Sequence, residues 1–238
     1  MRFLNPHGEQ EFAWATSWGV SARIVGGTVM AHGDDRGLRL PPRAAPVQVV
    51  VVPIYKTDDE RSQVLELATT IREGMQRSSI RVKIDDRNQR RPGFKFAEWE
   101  LKGVPVRVEI GPRDVAAGHV TVADRIRGGK STMSTEAFID GAAELLEELQ
   151  RALFADASAY RDANSHEATS FAELRDGLIE HAGFWSGAWC GDAVCEEKVS
   201  EETKATIRVL PLEQKDPGAP CVVCGKPGTE WATWAQSY

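Results

Sequence analysis

The stretch "VQVVVVPI", residues 47–54, decides how the chain is read. A continuous β-branched run ending in proline suits a strand buried on both faces of a sheet, where each side of the pleat meets an apolar layer. Just upstream, "LPPRAAP" cannot continue a helix, because proline lacks the amide donor and restricts the residue before it. The reading therefore places a linker at residues 41–46. Downstream, "DDERSQVLELATTIREGMQRS" opens at Asp58 with acids suited to a helix N-terminus and sets Val64, Leu67, Ala68 and Ile71 on one face. "IRVKID" and "VPVRVEI" alternate at period two, with "FKFAEWELKG" as a short helix between them and "HVTVADR" as a fourth strand. "STEAFIDGAAELLEELQRALFADA" carries a cap at Ser134 or Thr135 and helical spacing at Phe138, Ala142, Leu145, Leu146 and Leu149. Strands alternating with helices predict parallel pairing in an α/β or mixed sheet over residues 47–159. "SAYRDANSHEATS" reads as a loop or second linker, and no internal repeat interrupts the pattern.

Composition sets the outer bounds. At 238 residues and 42% hydrophobic content the chain can bury one large or two ordinary cores. No apolar run approaches the roughly 20 residues that span a bilayer, and "MRFLNPHGEQ" lacks the regions of a signal peptide, so the expectation is a cytoplasmic protein without a membrane partner. A net charge of −6 argues against wholesale coating of nucleic acid. The distribution is uneven, however: from Arg81 to Lys130, 12 basic residues face 7 acids, and from Glu136 to Glu180 eleven acids face three arginines. A local basic face is compatible with that block, as is a solvated surface.

The cysteines carry the most specific chemistry. All four fall as C-x4-C-x25-C-x2-C, at Cys190, Cys195, Cys221 and Cys224. In a reducing compartment two close pairs on a long loop suit zinc, and four thiolates complete a tetrahedron with no open position, a structural site. Two redox disulfides or free thiols are the alternatives. Near the other end, "EQEFAWATSWG" alternates as a strand and "VSARIVGGTVMAHG" reads as a helix apolar almost all round, hence buried. Arg23 falls in its first turn, beside Ser21, where backbone donors and a guanidinium could meet an anion such as phosphate; pairing of Arg23 with a carboxylate is the plainer reading. In "HGDDRG", Asp34 and Asp35 could ligate a metal, but a polar turn closing the helix is the simpler reading.

"TSWGVSARIVGGTVMAHGDDRGLRLPPRAAPVQVVVVPI" resembles the junction in prolyl-tRNA synthetases of the archaeal and eukaryotic-like type. The resemblance continues through "KFAEWELKGVPVRVEIGPRD" and the cysteine pairs to the final tyrosine, essentially the whole chain. It implies three parts: the end of a class II catalytic domain with its motif 3 strand and helix at residues 1–40, a mixed-sheet α/β anticodon-binding domain at 47–159, and a zinc-binding α/β domain at 160–238. By resemblance Ser21 and Arg23 would bind ATP, and Trp18 with Gly19 would line bound proline. Glu100, Arg107, Asp114 and Lys130 look like the family's anticodon contacts, types suited to reading base edges. Tyr238 matches a terminal tyrosine whose carboxylate reaches toward the catalytic domain.

The family's reaction is attack of the proline carboxylate on the α-phosphate of ATP, with Mg2+, followed by transfer to proline tRNA, in a homodimer. Motifs 1 and 2 have no counterpart in this sequence. The expectation is therefore part of a proline–tRNA ligase, inactive by itself, that supplies motif 3, anticodon recognition and the zinc domain. The alternative is a catalytically inactive stand-alone module that binds tRNA or a protein partner.

Overall fold

The computed structural model describes residues 1–213 and 217–237; Tyr238 lies outside the described residues. The chain divides into two compact units, Met1–Leu153 and Phe154–Tyr238.

The first unit opens with an exposed antiparallel hairpin, β1 (Arg2–Leu4) and β2 (Gln10–Phe12). The strand expected across residues 9–19 is confined to β2, and the residues after it have no regular structure up to helix α1 (Arg23–His32). The expected burial of that helix is corrected: Ile24, Val25, Val29 and Met30 are all more than half exposed, and none of its residues is buried. The helix is apolar almost all round, but no layer among the described residues packs over it. A two-residue hairpin follows, β3 (Gly33–Asp34) and β4 (Gly37–Leu38).

The run of valines forms β5 (Val49–Pro53), fully buried as its composition predicts. Pro41 to Ala45 is a tight turn pinned to this unit: the Arg81 guanidinium donates to the carbonyls of Ala45, Pro42 and Arg43, and Gln48 donates to Pro42 O. Helix α2 (Asp58–Arg77) starts at a capping box in which Thr57 Oγ1 accepts from the Glu60 amide and Glu60 accepts from the Thr57 amide. It buries Val64, Ala68, Ile71 and Met75. Then come β6 (Val82–Ile84), α3 (Pro92–Leu101), β7 (Val106–Ile110), the short α4 (Pro112–Ala117), β8 (His119–Asp124), β9 (Lys130–Ser134) and the long α5 (Thr135–Ala163), capped by Ser134. Sheet order is β6-β5-β7-β8-β9, parallel for β6, β5 and β7 and antiparallel from β7 through β9, the mixed sheet expected of this alternation. β9 went unread because "KSTMS" offers no apolar alternation. Gly128 and Gly129, both at positive φ, make the turn that returns β9 beside β8.

The two faces of this sheet differ. One carries Val49, Val51, Val106, Val108, Val120 and Val122 against α2 and α5, forming the main core with Phe138, Leu146 and Leu149. On the other, α3 places Trp99 and Phe96 over Val50 and Val52. Register continues that second face polar: Val50 is opposite Arg107 and Val52 opposite Glu109, while Arg107 is opposite Ala123 and Ala123 opposite Lys130.

The loop expected at residues 158–170 is instead the end of α5, followed by β10 (Ser165–Glu167). The second unit continues with α6 (Phe171–Glu180), β11 (Phe184–Trp189), α7 (Ala193–Thr203), β12 (Ala205–Val209) and β13 (Glu230–Gln236), in sheet order β10-β11-β13-β12. Its core gathers Leu174, Leu178, Trp185, Trp189, Val199 and Trp234. Gly177 is obligatory, since a Cβ there would stand 2.3 Å from the Trp185 ring. No helix among the described residues is long and apolar enough to cross a membrane.

Candidate functional site

The polar half of the second sheet face forms the floor of a cleft of about 200 Å³, lined by Glu100, Arg107 and Lys130 together with Arg36, Asp124 and Arg125. Each arrives from a different element. Glu100 lies on the last turn of α3, Arg107 at the second position of β7 and Lys130 at the start of β9. The Arg107 guanidinium stacks 4.3 Å from the Phe96 ring centroid, and the Lys130 ammonium lies 5.4 Å from the same ring. Arg36, in the β3–β4 turn, closes an ion pair with Glu100. The Arg125 side chain is only 7% exposed and donates through Nη1 to Asp34 Oδ2 at 3.0 Å and through Nη2 to Gly37 O at 3.2 Å. Hydrogen bonding from Arg125 holds the Asp34 carboxyl down at about 2. Asp34 therefore serves the turn and its docking, as the simpler reading of "HGDDRG" had it.

Three of the four residues singled out for base contact thus share one cleft, and Asp114 stands apart. Its Oδ2 accepts from the Gly111 amide at 2.8 Å, capping α4, and it lines a different depression with Tyr55, Lys56 and Arg113. Phe96 and Glu109 went unnoticed in the sequence. Phe96 sits one helical turn before Glu100 on the same helix face, and period two on β7 puts Glu109 on the face of Arg107. Behind the cleft, Asp85 is buried and accepts from Arg87 Nε at 2.8 Å, Arg87 Nη2 at 2.7 Å and Trp99 Nε1 at 2.8 Å, while buried Lys95 donates to Asp85 O at 2.9 Å. Burial pushes the Asp85 carboxyl up, but these donors prevail and hold it well below the usual carboxylate range. That network locks α3, and with it Phe96 and Glu100, onto β6.

Trp18, Gly19, Ser21 and Arg23 all lie exposed, the first three before α1 and Arg23 as its first residue. The Ser21 carbonyl accepts from the Ile24 amide at 3.1 Å, so the segment turns directly into the helix.

In the second unit the four cysteine sulfurs converge, all within 4.8 Å of one another. Cys190 Sγ is 3.6 Å from Cys195 Sγ and 3.7 Å from Cys224 Sγ. Four sulfurs each about 2.3 Å from a central ion would be about 3.8 Å apart, so the donor set fits a tetrahedral metal and is too open for S–S bonds of about 2.05 Å. Local folding explains the convergence. Asp192 caps α7 by accepting from the Val194 amide, which fixes Cys195 in the first turn. Cys221 to Lys226 is a knuckle in which the Cys221 amide donates to Lys226 O at 2.7 Å and Gly225 takes φ +75°. Burial raises the thiols of Cys190 and Cys195, whereas the Lys226 amide lowers that of Cys224.

Comparison with known families first defines the class. Residues 48–151, which include the sheet that floors the cleft, match the family described as "Anticodon binding domain". Residues 171–238 match "Prolyl-tRNA synthetase, C-terminal". The chain is 43% identical to the proline–tRNA ligase of Flavobacterium johnsoniae over 238 residues, 100% of this chain and 48% of that protein. It is 44% identical to the chloroplastic/mitochondrial proline–tRNA ligase of Arabidopsis thaliana over 244 residues, 100% of this chain and 45% of that one. The crystal structure of prolyl-tRNA synthetase from Cryptosporidium parvum, complexed with halofuginone and AMPPNP, superposes with a TM-score of 0.83 at 31% identity, covering 100% of this chain and 50% of that one. Along its whole length the chain is similar to prolyl-tRNA synthetases, and it spans about half the length of the curated relatives it matches.

Proposed function

We propose that this chain reads the anticodon of proline tRNA as part of a proline–tRNA ligase. The observation that carries the reading is the convergence of Glu100, Arg107 and Lys130 around Phe96 on the open part of the sheet. The cleft is smaller than the roughly 300–1,000 Å³ that encloses a whole small ligand. It suits one edge of a group presented from outside, as an unstacked anticodon base is. A carboxylate accepts from the N–H edge of guanine, Arg and Lys donate to its O6 and N7, and an aromatic ring provides a stacking surface. Asp114, on its separate face, would contact the RNA outside the cleft.

The remaining assignments follow the family. Ser21 and Arg23 would hold ATP and Trp18 with Gly19 the prolyl group, once the rest of a class II site stands beside them, with Mg2+ on the triphosphate and a homodimer as the working form. Tyr238 would carry its carboxylate to that site. The domain division would be 1–40, 41–46, 47–159 and 160–238. Cys190, Cys195, Cys221 and Cys224 would hold a structural Zn2+, which the sulfur spacing supports. The ion would contribute fold stability and no chemistry, since four thiolates leave it no open position.

The test is binding of a proline anticodon stem-loop and of one with its guanines replaced, at one fixed salt concentration. Discrimination of about 1–3 kcal/mol per altered base is expected. Equal affinity for both would leave the cleft a phosphate-binding surface and sink the reading.

A further inference from the structure

One carboxylate on the cleft's sheet face has no role so far. Glu109 is 8% exposed and lies two residues after Arg107 on β7, so both side chains project from the same face. Its Oε1 accepts from Arg107 Nε at 3.2 Å and from Nη2 at 3.0 Å, and Lys130 Nζ stands 2.8 Å from Oε2 and 2.7 Å from Oε1. The register explains the meeting: Arg107, Ala123 and Lys130 form one row across three strands, and Glu109 begins the next. Both cations reach back to this single carboxylate from under Phe96.

We propose that Glu109 is a positioning residue for base discrimination, an inference that rests on the cleft being the anticodon site. Its carboxylate engages the side-on edge of the Arg107 guanidinium, formed by Nε and Nη2. That leaves the end-on edge of Nη1 and Nη2 to offer two parallel donors in the cleft that Arg107 lines, the geometry that matches O6 and N7 of guanine. Lys130, an ammonium on a flexible stem, gains a fixed direction from the same anchor. Glu109 also cancels one positive charge beneath the cleft. It therefore weakens indiscriminate attraction for phosphate while it sharpens recognition of the base.

That opposition of sign supplies the test. Glu109→Gln keeps the shape, removes the charge and leaves an amide that can no longer anchor both cations. The 238-residue parent and variant are titrated with the proline anticodon stem-loop, the guanine-replaced stem-loop and an unrelated hairpin, at two salt concentrations. The variant is expected to lose at least fivefold of the parent's guanine discrimination, to hold the unrelated hairpin as tightly or more tightly, and to show a steeper salt dependence. Parental discrimination in the variant would overturn the inference and leave the anticodon reading standing. Equal weakening toward all three RNAs, with a lowered melting temperature, would make Glu109 merely structural and also overturn it. No discrimination in the parent would overturn the anticodon reading, and the inference with it. Should Glu109→Gln fail to fold, Glu109→Asp decides: with charge kept and reach shortened, it should retain the parental salt dependence yet lose discrimination, and unchanged discrimination would count against the proposal.

Discussion

Glu100 is held between Arg36 on one side and the cleft on the other, and Asp85 anchors the helix that carries it. Glu100→Gln keeps the shape and removes the charge-assisted acceptor. Affinity for the guanine-bearing stem-loop should fall by about 1–3 kcal/mol, with little change for the replaced one, measured by titration at fixed salt. Asp85→Asn acts on stability instead. It leaves Arg87 and buried Lys95 facing a neutral group, and breaking a buried ion pair from one side costs about 3–5 kcal/mol, which urea denaturation of the first unit would register. Asp34 makes a statement about pH. Its folded value of about 2 lies below its unfolded one near 3.8, so its contribution is complete above pH 4 and is lost as pH falls toward 2. Asp34→Asn should flatten that acid limb in a series of thermal melts, and an unchanged limb would mean that Arg125 gains nothing from the turn. Sequence reasoning reached Glu100, Arg107 and Lys130 through resemblance. It missed Glu109 because an acid beside an arginine on a strand reads as surface until three strands are paired in register.

At the scale of elements, legibility followed the strength of the local signal. The valine run, the Thr57-started helix and the alternation of "VRVEI" each encode burial within a few residues, and each folds as read. β9 is polar and owes its place to Gly128, Gly129 and pairing with β8, which no window on β9 alone contains. The loop expected after residue 157 became helix because Ala, Ser, Tyr and Arg tolerate a helix once about six turns precede them. The tight fit of the β3–β4 turn onto α3 yields a prediction at this scale. Gly37 has φ +125° and its Cβ position lies 2.5 Å from Leu101 Cα, so Gly37→Ala strains the turn and pushes against backbone. A loss of about 1–3 kcal/mol is expected, together with faster amide exchange in residues 33–38, because the turn and the end of α3 must separate. Thr57→Ala should cost about 1 kcal/mol through the lost cap, without altering exchange in that turn.

Across the whole molecule the two units rest on different foundations. The first has a five-stranded sheet with helices packed on it and a continuous valine-rich core. The second has a four-stranded sheet and a core in which Cys195 and Cys221 are themselves buried members beside Trp189 and Val222. In such a core the thiols are either drawn together by an ion or left as a cluster of sulfurs, two of which burial discourages from ionising. Structural zinc couples to folding by about 10–16 kcal/mol in small domains, comparable to the whole stability of an ordinary domain. Chelation should therefore release protection selectively. Amides of β11 and β13 would exchange rapidly and the buried tryptophans of that core would become solvent-exposed, while amides of β5, β7 and β8 keep their protection and guanine discrimination persists. Cys221→Ser should reproduce the effect without chelator, since it removes one ligand from the knuckle. Retained protection in β11 and β13 after chelation would mean that the four sulfurs pack without an ion. Loss of protection throughout would mean that the sheet bearing the cleft depends on the metal as well, contrary to the separate cores seen here.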